Sequence, residues 1–252
     1  MADTMPPVIV STSSSWVAVC CILRRYLLGH FVLLKLPLQV KGCLFVQRIV
    51  TLDMEGVVTP EIWIAVATHT SIPELRVTTR DEPDYQKLMD QRISILTEHQ
   101  VSLSVIRGVI SELPVMEGAR EFLDDLRQKY QVVLLSDTFE QFADHFMVQL
   151  GYPHLLCHRL DVDDDRVKRF VPRVVDAKKQ AVTGYQKLGF HVTAVGDSHN
   201  DISMLQQADA GCLFRSPRGL PDKYPDLLPL EAYDELTKWI DESFGRSAEG
   251  ST

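Results

Sequence analysis

The sequence predicts an α/β fold: a doubly wound parallel sheet with a small helical cap inserted after the first strand. Three observations predict it. Short continuous apolar runs alternate with amphipathic helical patterns, as buried parallel strands and their crossover helices require. The best of these runs, "RIVTLD", "QVVLLSD" and "FHVTAVGD", each end in a carboxylate. Residues 60–112 form a helical block too long for a simple crossover between the first two strands.

In chain order, "RIVTLD" (48–53) reads as a buried first strand. The helix "PEIWIAVATHT" follows, with Pro60 and Glu61 as favourable first-turn residues. "DYQKLMDQRISILTEHQ" sets Tyr85, Leu88, Met89, Ile93 and Leu96 on one helical face, and "SLSVIRGVISEL" ends before Pro114. "EGAREFLDDLRQKY" is an amphipathic helix feeding the second strand, "QVVLLSD" (131–137). The helix "TFEQFADHFMVQLG" stops at Gly151, the strand "HLLCHRLDV" follows, and "DDDRVKRFVPRV" reads as a polar hairpin or loop. Then come the helix "AKKQAVTGYQKLG", the strand "FHVTAVGD", the helix "NDISMLQQA", a last strand "AGCLF" and a closing helix "LEAYDELTKWIDESF". The expected organisation is a core of 48–59 and 113–245, a cap of 60–112 and a frayed tail of 246–252.

The first 47 residues differ in character, with one acid, Asp3, against Arg24, Arg25, Lys35 and Lys41. Their apolar runs stop at charges well short of the roughly 20 residues a membrane span needs. A signal peptide fits poorly because the charges follow the first apolar run. The segment is expected to be an extension outside the fold: a targeting segment, a native addition, or an upstream stretch ahead of a true start near Val46. The composition, 45% hydrophobic and 24% charged, is that of an ordinary globular protein. A net charge of −8 without a basic stripe argues against nucleic acid as the main partner. The five cysteines show neither zinc-finger spacing nor a disulfide framework, which makes a reducing, cytoplasmic setting the expectation.

The chemistry gathers at strand ends. In an open parallel sheet, ligands bind outside the carboxyl ends of the strands, where strand order reverses. That rule brings Asp53 and Glu55, Ser136 and Asp137, and Asp197 to one crevice if their strands are neighbours. Lys178, at the start of the helix before "FHVTAVGD", can reach it. Burying carboxylates is costly unless something neutralises them. An oxygen-only cluster suits Mg²⁺, held by Asp53 and Asp197 with a backbone carbonyl between them. Asp53 can then attack phosphorus, Glu55 can move the proton, and Ser136 and Lys178 can hold phosphoryl oxygens.

The segments "DMEGV", "LLSD", "DAKKQ" and "GDSHND", in this order, resemble the four motifs of the haloacid dehalogenase superfamily of phosphohydrolases, from about Arg48 to Phe244. "DMEGVVTPEIWIA", "TTRDEPDY", "LMDQR" and "LSDTF" are similar to the phosphoserine phosphatases, especially the bacterial phosphoserine phosphatase/homoserine phosphotransferase branch. The superfamily usually carries Asp where this chain has Glu55, but that branch also carries Glu.

The resemblance implies a Rossmann-like core and an aspartyl-phosphate on Asp53. Glu55 becomes the acid/base with its carbonyl on Mg²⁺, and Asp197 the other metal ligand. Ser136, Asp137, Lys178 and Asn200 surround phosphoserine, while Glu61 and Arg92 meet its ammonium and carboxylate; homoserine is implied as an alternative phosphoryl acceptor.

Blander readings exist for each residue. Ser136 can cap a helix, Glu61 can answer a helix dipole, Arg92 can be solvated, and Asp201 can cap or support without touching metal. His199 is expected to be exposed. The run "DVDDD" lacks the glycine and distal glutamate of an EF-hand loop and reads as a solvated turn. The competing functions are a phosphatase of another small phosphomonoester and a non-catalytic binding protein.

Overall fold

The computed structural model describes residues 46–249, apart from Arg80 and Pro83. The expectation for residues 1–45 lies outside the described residues. β1 (Gln47–Leu52) begins one residue inside the stretch assigned to the extension, and Gln47 pairs with Phe190. Among the described residues no helix is long and apolar enough to cross a membrane.

Downstream of β1 come α1 (Ile62–Thr70), a 3₁₀ turn (Pro73–Arg76), α2 (Tyr85–Glu98), α3 (Leu103–Ile110) and α4 (Ala119–Arg127). They are followed by β2 (Gln131–Phe139), α5 (Glu140–Gln149), β3 (His154–Asp163), β4 (Arg166–Val171), α6 (Ala177–Lys187) and β5 (Phe190–Gly196). A 3₁₀ turn (His199–Asp201), α7 (Ile202–Gln207), β6 (Ala210–Phe214), α8 (Leu220–Lys223), β7 (Leu228–Leu230) and α9 (Tyr233–Glu249) complete the chain. The described strands form one seven-stranded sheet in the order β4-β3-β2-β1-β5-β6-β7. Every pairing is parallel except β3 with β4. The order reverses at β1, which pairs with β2 on one side and β5 on the other.

The two-residue period of the strands sorts their side chains into two layers. On one face Val50 and Leu52 of β1 and Val132 and Leu134 of β2 pack with Phe122, Leu123, Phe142, Leu236 and Ile240. On the other, Ile49, Val133, Leu135 and Val192 pack with Val182, Met204 and Leu205. Burying such side chains stabilises by about 1.5–3 kcal/mol each before chain entropy is counted.

The structure adds to the sequence reading at several points. β7 is an additional strand, too short and proline-containing to stand out by pattern. α9 continues to Glu249, into the stretch expected to fray. The "DVDDD" run forms the exposed turn expected of it, with a further role. Asp164 and Asp165 both have positive φ (47° and 56°), the backbone that a two-residue hairpin between β3 and β4 demands. Asp165 also caps α3: its carbonyl accepts from Leu103 N at 2.8 Å and its carboxylate from Ser104 N at 3.0 Å and Ser104 Oγ at 2.6 Å. The hairpin thus clasps the inserted helical block.

Candidate active site

The chain leaves β1 at Asp53, whose N–H donates to Val195 O at 2.9 Å and so pins the loop to β5. The Met54 carbonyl then collects Val58 N, Thr59 N and Thr59 Oγ1, and Gly56 turns with φ 81°. Gly56 is required twice over. Its φ lies in the left-handed region, and a Cβ there would sit 2.5 Å from Asp197 Cγ. Gly56→Ala is expected to cost about 1–2 kcal/mol in backbone strain. By displacing Asp197 it should also weaken divalent-cation binding by roughly 10–100-fold; calorimetry with Mg²⁺ and a melting curve check both.

Asp53 is 4% exposed and Lys178 3%. The Lys178 ammonium bridges three carboxylates: Asp53 Oδ1 at 2.9 Å, Asp201 Oδ1 at 2.7 Å and Asp137 Oδ2 at 3.3 Å. A cation at the N-terminus of α6 opposes the helix dipole, and these carboxylates offset that cost. Burial disfavours the charge on Lys178, but Asp137, Asp201 and Asp53 outweigh it and push its pKa well above the usual lysine value. Asp53 is itself pushed well up, first by burial and then by Asp201, Asp197 and Asp137, against the pull of Lys178.

Glu55 lies half-buried above this cluster, its Oε2 accepting from Ile62 N at 3.0 Å at the start of α1. Burial and the charge of Glu61 raise its pKa to about 7, against that hydrogen bond, Arg92 and Lys178. A carboxyl poised there can give and take a proton at neutral pH.

β2 delivers Ser136 and Asp137. Ser136 Oγ accepts from Thr138 N at 3.2 Å, which leaves its own proton to be donated elsewhere. Asp137 Oδ2 accepts from Asn200 Nδ2 at 2.7 Å. At the end of β5, Asp201 Oδ2 accepts from the backbone N–H groups of Asp197 and Ser198, each at 3.0 Å. Gly196 lets Asp201 come this close, since a Cβ there would meet the Asp201 Cβ at 2.4 Å.

Carboxylate oxygens of Asp53, Asp197 and Asp201 lie within 4.8 Å of one another, all buried, a donor set that fits a hard divalent cation. Asp201 already spends one oxygen on Lys178 and the other on two backbone donors. Both of its oxygens are thus engaged in supporting the cluster.

One cleft of about 470 Å³, counting its open mouth, is lined by Asp53, Glu55, Glu61, Arg92, Ser136, Asp137, Lys178, Asp197 and Asn200. Every candidate residue from the sequence therefore meets in one place. Arg92 is not solvated: it is 5% exposed, stacks over Trp63 at 4.5 Å and donates to Val77 O at 2.8 Å. Among the described residues its Nε has no partner. His199 is exposed.

Sequence reasoning missed Trp63, Thr78, Thr79, Tyr85 and Ser198, which also line the cleft. Tyr85 and Trp63 looked like ordinary helix-face residues. Only the folded position of α2 turns Tyr85 so that its hydroxyl donates to the Asp137 carbonyl at 2.6 Å.

The chain is similar to curated proteins over most of its length. A phosphoserine phosphatase of Pseudomonas syringae pv. tomato is 50% identical over 192 residues, covering 76% of this chain and 81% of the relative. Phosphoserine phosphatase ThrH of Pseudomonas aeruginosa is 47% identical over 202 residues, covering 80% and 98%. Among solved structures, a phospho-aspartyl intermediate analogue of phosphoserine phosphatase aligns with TM-score 0.66 at 20% identity, covering 77% of this chain and 99% of that one. At that identity the likeness carries the fold. The sequence pattern of the haloacid dehalogenase-like hydrolases matches residues 47–209, and the chain belongs to that family.

Proposed function

We propose that the protein is a Mg²⁺-dependent phosphoserine phosphatase that hydrolyses O-phospho-L-serine to L-serine and phosphate. The observation that carries the reading is that one cleft joins two halves of different chemistry. Asp53, Ser136, Lys178 and Asp197 suit a phosphoryl group, while Glu61 and Arg92 suit an ammonium and a carboxylate. The named relatives at 47–50% identity support it.

In the first step an oxygen of Asp53 forms a bond to phosphorus as the bond from phosphorus to the serine oxygen breaks. Glu55 gives its proton to that oxygen. Ser136 and Lys178 hold the phosphoryl oxygens, and Asp137, itself tied by Asn200, holds Lys178 in place. In the second step the Glu55 carboxylate takes a proton from water, whose oxygen attacks phosphorus. The Asp53 bond breaks, phosphate leaves, and Glu55 is again protonated. Asp53, Asp197 and the Glu55 carbonyl would hold Mg²⁺, which supplies neutralisation of phosphoryl charge. Homoserine enters the same second step as an alternative acceptor, its hydroxyl replacing water.

A substrate panel tests the reading. Phosphoserine should be turned over in preference to phosphothreonine and sugar phosphates, with activity lost on chelation and restored by Mg²⁺. Added homoserine should divert phosphate into phosphohomoserine. Preference for a sugar phosphate would overturn the substrate assignment.

Two variants probe the separate halves. Glu55→Gln is expected to lower phosphoserine turnover by about 10²–10⁴-fold. With p-nitrophenyl phosphate, whose leaving group needs no proton, it should still give a burst of nitrophenol and a trapped phosphoenzyme. Arg92→Lys removes a two-pronged donor worth roughly 1.5–3 kcal/mol. It should raise KM for phosphoserine by about 10-fold or more and leave p-nitrophenyl phosphate unaffected.

A further inference from the structure

His158 lies on β3, outside every motif that marks the cleft, yet it reaches the cluster. Its ring is 5% exposed, packed edge-on against Phe170 at 5.2 Å and beside Tyr85 at 6.4 Å. Burying an imidazole requires partners for both nitrogens. Here Nδ1 lies 3.2 Å from Arg173 N, and Nε2 lies 3.2 Å from Asp137 Oδ1. A backbone N–H can only donate, so Nδ1 is the bare nitrogen and the ring proton is on Nε2. The ring is the neutral Nε2–H tautomer and donates to Asp137.

We infer that His158 is a positioning residue: it clamps one oxygen of Asp137 so that the other faces Lys178 and Asn200. Oδ2 meets Asn200 Nδ2 at 2.7 Å and Lys178 Nζ at 3.3 Å, and the same ammonium meets Asp53 Oδ1 at 2.9 Å. The path from His158 to the candidate nucleophile is therefore a continuous set of polar contacts. Burial opposes the Asp137 charge, but Lys178 and the hydrogen bonds from His158 and Asn200 outweigh it and hold the carboxyl below the usual range. Without the Nε2–H donor, Asp137 Oδ1 loses its tie to β3 and the carboxylate can rotate. Lys178, shared among three acids, then shifts away from the phosphoryl position.

This inference rests on the proposed phosphoryl chemistry, and the experiment separates the two. Full-length wild type, His158→Leu and His158→Gln are assayed with Mg²⁺ on phosphoserine and, in parallel, on p-nitrophenyl phosphate. Leucine fills the aromatic-lined space without a donor, while glutamine can place an amide N–H near the Nε2 position. The leucine variant should lose about 10–100-fold in kcat on both substrates, the scale of lost support around a site. KM should stay near the wild-type value, and glutamine should restore most of the loss. Nitrogen NMR of labelled histidine should show a bare Nδ1 and a protonated Nε2 for His158.

Wild-type kcat in the leucine variant, equal loss in both variants, or a proton on Nδ1 would each overturn the positioning role. Wild type that turns over only p-nitrophenyl phosphate would instead remove the substrate assignment, and the variant comparison would still decide the role of His158.

Discussion

Asp53→Asn is expected to abolish turnover while the protein folds at least as well as wild type. The loss should be on the order of 10⁵-fold, the scale seen when the covalent nucleophile of a hydrolase is removed. Asparagine keeps the size of the side chain and an oxygen for Lys178 and Met54 N, which lie 2.9 Å and 2.7 Å from Asp53 Oδ1. What it removes is charge. In the metal-free protein the charged form of Asp53 is disfavoured by burial and by Asp201, Asp197 and Asp137, against the pull of Lys178, so a neutral amide relieves repulsion. A melting curve in chelator should show an equal or higher midpoint. Phosphate transfer to the protein, followed by mass spectrometry after acid quench, should be present in wild type and absent in the variant. Residual turnover within about tenfold of wild type would show that another group attacks phosphorus.

Lys178→Met should damage both stability and activity. Methionine fills most of the lysine volume but carries no charge, leaving three carboxylates without their common cation. Removing one partner from a buried ion cluster costs about 3–5 kcal/mol. For a chain of this size that is a fall of roughly 6–20 °C in melting midpoint. Excess Mg²⁺ should recover part of the fall, because a cation bound by the folded protein alone stabilises it by mass action. Turnover should remain down by about 10²–10³-fold even with saturating Mg²⁺, since a preorganised donor to the phosphoryl group is missing. Two measurements on two variants thus separate charge relief at Asp53 from charge loss at Lys178. If both variants melted alike, the electrostatic account of the cluster would fail.

Much of the fold and of the cleft was legible in the chain because strand ends in a parallel sheet converge by geometry. The runs ending in Asp53, Asp137 and Asp197 are buried strands, and their pairing through β1 follows from how such sheets are wound. The reason for Gly56 and Gly196 is spatial: Gly56 leaves room for the carboxylate of Asp197, far along the chain, and Gly196 for that of Asp201, five residues on. Periodicity identified the helix carrying Tyr85 and Arg92, yet it could not say that Arg92 turns inward over Trp63. The acidic hairpin was legible as an exposed turn, but its second role was not. Asp164 and Asp165 satisfy a local turn, and the second also caps a helix some sixty residues earlier in the chain (|i−j| = 61).

The sequence by itself determined the candidate groups, their order and the parallel sheet that gathers them, because those depend on residue type and local period. Only the tertiary structure decided which acids share Lys178, that Asp201 spends its oxygens on support, that Glu55 is raised to about 7, and that His158 enters at all. Those properties belong to burial and to distances of about 3 Å that the folded backbone sets. A linear pattern carries neither.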